Sequence, residues 1–195
     1  MPTEQERPDV AALREVWLAH QPSLDIHRLV FLDETWAKTN MTRTHGRCQK
    51  GKRLHGKAPY GHWKTMTFAA GLRCDGVIAP IVLDCPMNSN IFTAYVEQAL
   101  ARELRPGDIL IMDNLSSHKG QQARKAIEAC GAQILFLPPY SPDMNPIEQL
   151  FSKIKAALRT AAERSADAVY ERIGKILSTV SQQECENYIR NLGYA

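Results

Sequence analysis

Leu29-Val30-Phe31-Leu32-Asp33 is the stretch on which the fold turns. Four apolar residues in a row, bounded by polar sequence, imply a strand buried on both faces, as in the interior of a sheet with parallel neighbours. Ile109-Leu110-Ile111-Met112-Asp113 repeats the pattern, again ending in a carboxylate. Working outward, a first strand spans about 29–36. Two more lie near 62–72 and 76–84, parted by the turn Cys74-Asp75-Gly76, and the last two near 108–113 and 132–137. Helical periodicity marks about 10–19, 89–104, 119–129 and 146–164, followed by a single helical tail capped by Ser165 and reaching about Leu192. Three consecutive strands followed by alternation predict an α/β fold: a mixed central sheet of about five strands flanked by helices. By this reading residues 1–28 form an N-terminal helix and connector, 29–164 the main domain, and 165–195 a C-terminal helix packed on it.

Three acids stand where hydrophobic patterning leaves no place for charge: Asp33, Asp113 and Glu148. A buried lone carboxylate is costly unless it is paired or bound to a metal. Two carboxylates about 4 Å apart repel by roughly 4 kcal/mol at an effective dielectric of about 20. Convergence of all three therefore calls for a divalent cation with a preference for oxygen, and such ions serve phosphoryl transfer. If the strands at 29 and 108 are neighbours, Asp33 and Asp113 meet at one rim of the sheet, where open α/β sheets bind ligands. Local readings compete with this. Asp113-Asn114-Leu115-Ser116-Ser117 is good turn chemistry. Asn145-Pro146-Ile147-Glu148 reads as a capping box, with Asn145 as N-cap and Glu148 as its third helical residue. Glu34 adjoins Asp33 but should face the other side of the strand, where it serves as an auxiliary neighbour.

The charge is unevenly distributed. Of the 24 Lys and Arg, nine fall between Thr35 and Cys74, a span with no Asp or Glu, so the rest of the chain carries 15 cations against all 21 acids. Arg43, Arg47, Lys50, Lys52, Arg53, Lys57 and Lys64 are interleaved there with Trp36, Tyr60 and Trp63, a combination suited to phosphates and splayed bases. A well-solvated loop is the plain alternative. Lys155 and Arg159 extend the stripe of Glu148, and His118 opens a helix five residues after Asp113; all three are candidate phosphate contacts. His45, Cys48, His55 and His62 match no familiar zinc spacing. No Walker phosphate loop and no covalent nucleophile can be read. The polar start excludes a secretory signal, and no apolar run approaches a membrane span of about 18 residues. Five scattered cysteines suit free thiols in a reducing cytosol.

Three motifs together resemble a known family: F-L-D-E-T-W at Phe31, I-M-D-N-L-S-S-H at Ile111, and L-P-P-Y-S-P-D-M-N-P-I-E-Q-L-F-S-K-I-K at Leu137. They look like the catalytic domain of DDE transposases, in the bacterial insertion-sequence branch of the mariner superfamily. The likeness runs from about Leu29 to Arg159, and 34 residues part Asp113 from Glu148, a spacing such enzymes share. The resemblance implies a ribonuclease H-like fold with Asp33, Asp113 and Glu148 as catalytic ligands of two Mg2+ ions, Mn2+ substituting. Asn114 and His118 match the family's D-N-x-x-x-H pattern. In-line attack on a DNA phosphodiester follows, first by water and then by a released 3′-hydroxyl. Transposon-end and target DNA are the implied partners, a homodimer would pair two ends, and no membrane is involved. The implied setting is the bacterial cytoplasm, at the nucleoid. Met144 and Phe151 replace the family's common Leu and Trp. Only 28 residues precede the first strand, too few for the usual helix-turn-helix module, so a separate DNA-binding polypeptide is an expected partner. Two other readings stay open: a ribonuclease H-like nuclease or exonuclease, and a catalytically idle DNA-binding remnant.

Overall fold

The computed structural model describes residues 3–115, 118 and 120–195. Five strands form one sheet: β1 (Leu29–Lys38), β2 (Thr65–Arg73), β3 (Gly76–Leu83), β4 (Ile109–Met112) and β5 (Gln133–Phe136). Their spatial order is β3-β2-β1-β4-β5. β1 pairs antiparallel with β2, and β2 with β3; β4 lies parallel to β1 and to β5. The sheet is thus mixed, with β1 at its centre. This is the expected fold class.

Helices cover both faces. On one lie α4 (Ile147–Ala161), α5 (Ala166–Leu177) and α6 (Gln182–Arg190); on the other lie α2 and α3 (Gln121–Ala129). α2 starts as Ser89–Tyr95, widens into a π turn over Val96–Leu100 and closes with Ala101–Glu103. The period-2 geometry of a strand sorts β1 between two cores. Leu29 and Phe31 pack with Ile147, Leu150, Phe151, Ile154 and Ile173, while Val30 and Leu32 pack with Phe92, Val96, Leu100 and Ile127. Asp33 and Glu34, next in line, inherit this division.

Details at the element ends differ from expectation. β1 runs on to Lys38, and β2 begins only at Thr65. The tail is two helices: Ser178 ends α5, and Ser181 caps α6 by accepting from the Glu184 N–H at 3.2 Å. Hydroxyls so placed offer the backbone alternative partners, which breaks a continuous helix. Lys119, expected to open a helix, lies outside the described residues; α3 begins at Gln121. Gly71 sits where the β2–β3 register shifts, and a Cβ there would meet Ile78 Cγ1 at 2.8 Å.

The two chain ends meet beside the sheet. α1 (Pro8–His20) brings Trp17 Nε1 to the Tyr194 hydroxyl at 3.1 Å, and that hydroxyl donates to the Met144 carbonyl at 2.8 Å. The Tyr194 ring packs edge-on against Phe31, centroids 4.9 Å apart. Met144 immediately precedes the helix-opening Asn145-Pro146, so this contact helps fix where α4 starts.

Candidate active site

Leu32 is paired with Met112 in the parallel β1–β4 ladder. The following residues, Asp33 and Asp113, therefore leave adjacent strands side by side and on the α4 face. Glu148, in the first turn of α4, closes the same cleft, about 640 Å³, which also takes in Glu34, Asn114 and the wall Leu137–Pro142. The fold thus brings the three acids to one cavity from three distant points of the sequence.

Asp33 keeps part of its surface open to the cleft, yet its carboxyl is recessed. Oδ1 accepts from the Glu34 N–H at 2.7 Å, and Oδ2 accepts from Asn145 Nδ2 at 2.8 Å. Burial, and then the negative charges of Asp113 and Glu148, push its pKa up to about 8. Burial likewise raises Glu148; Lys155 offsets this in part, and Asp113 adds to it. Acids whose pKa values are raised by burial and by one another in a cleft mark a candidate functional site.

Asn145 overturns the capping-box expectation. Pro146 takes the cap position of α4 without a side-chain hydrogen bond, and the Asn145 amide is spent on Asp33. Asn145 is 2 % exposed, and its Oδ1 has no hydrogen-bond partner among the described residues. The Glu148 carboxylate makes no hydrogen bond or ion pair within them either, which leaves it free of the capping role.

His118 is also corrected. It is 2 % exposed, packed against Phe92 with ring centroids 4.5 Å apart, and cannot lie on a DNA-facing surface. Its Nε2 stands 3.0 Å from Glu34 Oε2 and its Nδ1 2.7 Å from Asp113 Oδ1. The second contact is short but poorly aligned for a hydrogen bond, so it acts as an ion pair. Burial opposes the charged ring, but Asp113 and Glu34 outweigh it and carry its pKa up to about 10. Glu34 does point away from Asp33, as strand alternation requires, and reaches Asp113 through the imidazole.

The candidate DNA contacts divide into two groups. Arg43, Arg47, Lys50, Lys52, Arg53, Lys57 and Lys64 are exposed on the irregular segment between β1 and β2, with no ion pair among the described residues. That segment is pinched at its base, where the Thr39 N–H donates to the Lys64 carbonyl at 3.1 Å. Lys155 and Arg159 instead lie half-buried on α4. Lys155 Nζ stands 4.8 Å from the Trp36 ring centre and Lys38 Nζ 4.7 Å, so two cations share one exposed aromatic ring. Burial lowers the Lys155 pKa against the pull of Glu148. Asn114 lies exposed at the cleft.

As the side chains stand, no three His, Cys, Asp or Glu among the described residues converge tightly enough to cage an ion. Asp33 and Asp113 are turned to Asn145 and His118. The donor set, hard carboxylate oxygens with excess negative charge, still suits an oxygen-seeking divalent cation.

A family model described as DDE superfamily endonuclease matches residues 28–169. The chain belongs to this family. No curated protein sequence matches the chain. Among solved structures it is similar to the mariner Mos1 paired-end complex with Mg, at 22 % identity and TM-score 0.79, covering 98 % of this chain and 61 % of that one. The Mos1 strand transfer complex matches at 22 % identity and 0.78, covering 98 % and 59 %. The Mos1 catalytic domain matches at 20 % and 0.71, covering 98 % and 90 %. The chain therefore has the ribonuclease H-like fold of that catalytic domain, and it spans about 60 % of the longer Mos1 chains. No helix among its described residues is long and apolar enough to cross a membrane.

Proposed function

We propose that this chain is the catalytic part of a transposase that cuts and joins DNA strands, with Asp33, Asp113 and Glu148 as catalytic residues. The observation that carries the reading is the register of β1 with β4, which sets Asp33 beside Asp113 across the cleft from Glu148. These three carboxylates would hold a pair of divalent cations, Mg2+ or in its place Mn2+. When bound, such ions lower the pKa of an attacking water or hydroxyl and stabilise the charge on the leaving oxygen.

The chain's own groups do the rest. Asn145 fixes the rotamer of Asp33, while His118, itself anchored by Glu34, holds Asp113. Lys155, propped on Trp36, sets a cation beside Glu148 where a phosphate would otherwise meet only negative charge. The exposed cations from Arg43 to Lys64 would hold the flanking duplex. The mixed sheet with its surrounding helices would form one catalytic domain over 29–164, with 1–28 and 165–195 bracing it. A second copy to pair two DNA ends, a separate helix-turn-helix polypeptide to recognise them, and a bacterial insertion element as the source complete the proposal.

Supercoiled plasmid and end-labelled linear DNA with Mn2+ or Mg2+ test it. Internal nicking that chelator stops, and that Asp113→Asn lowers at least a hundredfold, is the expected result. Processive shortening of ends would favour an exonuclease, and undiminished nicking by Asp113→Asn would remove the acid set from the chemistry.

A further inference from the structure

Tyr140 lines the cleft with Asp33, Asp113 and Glu148, yet nothing in that arrangement uses it. Its backbone is left-handed, φ 56°, a region that favours glycine and disfavours aromatic residues. Its ring is half exposed, with no aromatic partner and no hydrogen bond to its hydroxyl among the described residues. The backbone around it, in contrast, is tightly held. Gln5, nearly buried, donates its amide to the Tyr140 carbonyl. Arg14 donates to Ser141 Oγ at 2.8 Å and grips Asp143 with both terminal nitrogens, at 3.0 and 2.7 Å. Pro138, Pro139 and Pro142 restrict φ on either side. A strained, rigidly mounted residue with an idle aromatic face is a preset surface for another ring.

We infer that Tyr140 is the stacking platform for an unpaired nucleobase next to the phosphate that is cut, so that the cleft takes a strand with one base turned out of the duplex. The inference rests on the DNA-cleaving reading and adds a ligand subsite to it. Phosphates are served by cations and prolines offer no donors. A flat aromatic face beside the acids therefore matches the one part of a nucleotide they do not recognise. Because every base has such a face, this contact would position the strand without reading its sequence.

The probe is a duplex with a short 3′ tail that carries 2-aminopurine, titrated with the full chain in the presence of Mn2+. Binding should quench the fluorescence. Tyr140→Ala should abolish the quenching and weaken tail binding roughly 5- to 150-fold, the range that base–aromatic stacking is worth. Tyr140→Phe should behave as the original chain, and so should Tyr140→Trp, which covers the case in which the alanine variant is unstable. Replacing the tail base by an abasic site should cost the original chain the same factor and Tyr140→Ala nothing. Equal quenching by Tyr140→Ala overturns the inference, as does a Tyr140→Phe as weak as the alanine variant, because the hydroxyl would then be the contact. If plasmid nicking proceeds while these signals fail, only the platform falls; if no DNA is bound or cut at all, the proposed function falls with it.

Discussion

Asp33 and His118 hold their protons for different reasons, and the two effects add. Burial among Asp113 and Glu148 raises the Asp33 carboxyl from 3.8 to about 8, so folding favours its neutral form. The penalty for ionising it grows as pH rises above the unfolded value and is complete above about 8. His118 moves from 6.5 to about 10 through Asp113 and Glu34, against its own burial. Its stabilising contribution is full below 6.5 and fades as pH climbs through 10. Both effects have the same sign, so the metal-free chain should lose thermal stability steadily from pH 6.5 upward. Each kcal/mol of stability removed should lower Tm by about 2–4 °C. Scanning calorimetry with chelator across pH 6–10 checks this. Mg2+ should reverse the trend, because it replaces the Asp33 proton, and its stabilising effect should grow between pH 6 and 8. His118→Asn should remove the His118 share of the slope, leaving only the Asp33 share, which ends near pH 8; an unchanged slope above pH 8 would mean the imidazole is neutral.

Local pattern names elements well and their junctions poorly, as β2 and α4 illustrate. Gly71 looks like an ordinary strand glycine in sequence, but its missing Cβ leaves room for Ile78 where the register slips between Ala69 and Gly71. Gly71→Ala should cost about 1–3 kcal/mol by overpacking. Ile78→Ala, which removes both Cγ1 and Cδ1 facing position 71, should recover part of that in the double variant relative to the sum of the single losses; urea denaturation of all four forms measures the coupling. Strictly additive losses would mean that the two side chains never meet. The opening of α4 teaches the converse. Asn145-Pro146-Ile147-Glu148 satisfies every local rule for a capping box, and each residue is indeed at a helix start. What local chemistry could not reveal is that Asp33, 112 residues away, competes for the Asn145 amide and wins. The acids themselves were legible because charge interrupts hydrophobic runs, whereas Asn145, Gln5 and Arg14 are polar residues in polar sequence. Only tertiary contacts give them their partners. His118 was visible as a residue but not as a buried one, since Phe92 and Glu34 reach it from other elements.

On the scale of the whole molecule, the acids of the cleft and the exposed cations between β1 and β2 occupy different places. The acids are recessed at the rim of the β1–β4 pair, and the unpaired cations stand out on the segment between β1 and β2. Affinity and chemistry should therefore be separable. Neutralising Lys50, Lys52 and Arg53 together to Gln removes three exposed charges with no packing role, so stability should change by less than about 0.5 kcal/mol. Duplex affinity should fall, and the plot of log K against log salt should flatten by about 0.9 for each phosphate no longer neutralised, at most about 2.7 for the three. Asp113→Asn should do the reverse, leaving that slope in place while cleavage stops. Fluorescence anisotropy from about 50 to about 300 mM salt reads the slope, and the plasmid assay reads the chemistry on the same samples. An unaltered slope in the triple variant would show that Lys50, Lys52 and Arg53 do not touch the DNA backbone. The electrostatic footprint would then have to lie on the remaining cations of the segment, Arg43, Arg47, Lys57 and Lys64, or on the half-buried Lys155 and Arg159, of which Lys155 cannot be neutralised without disturbing Glu148.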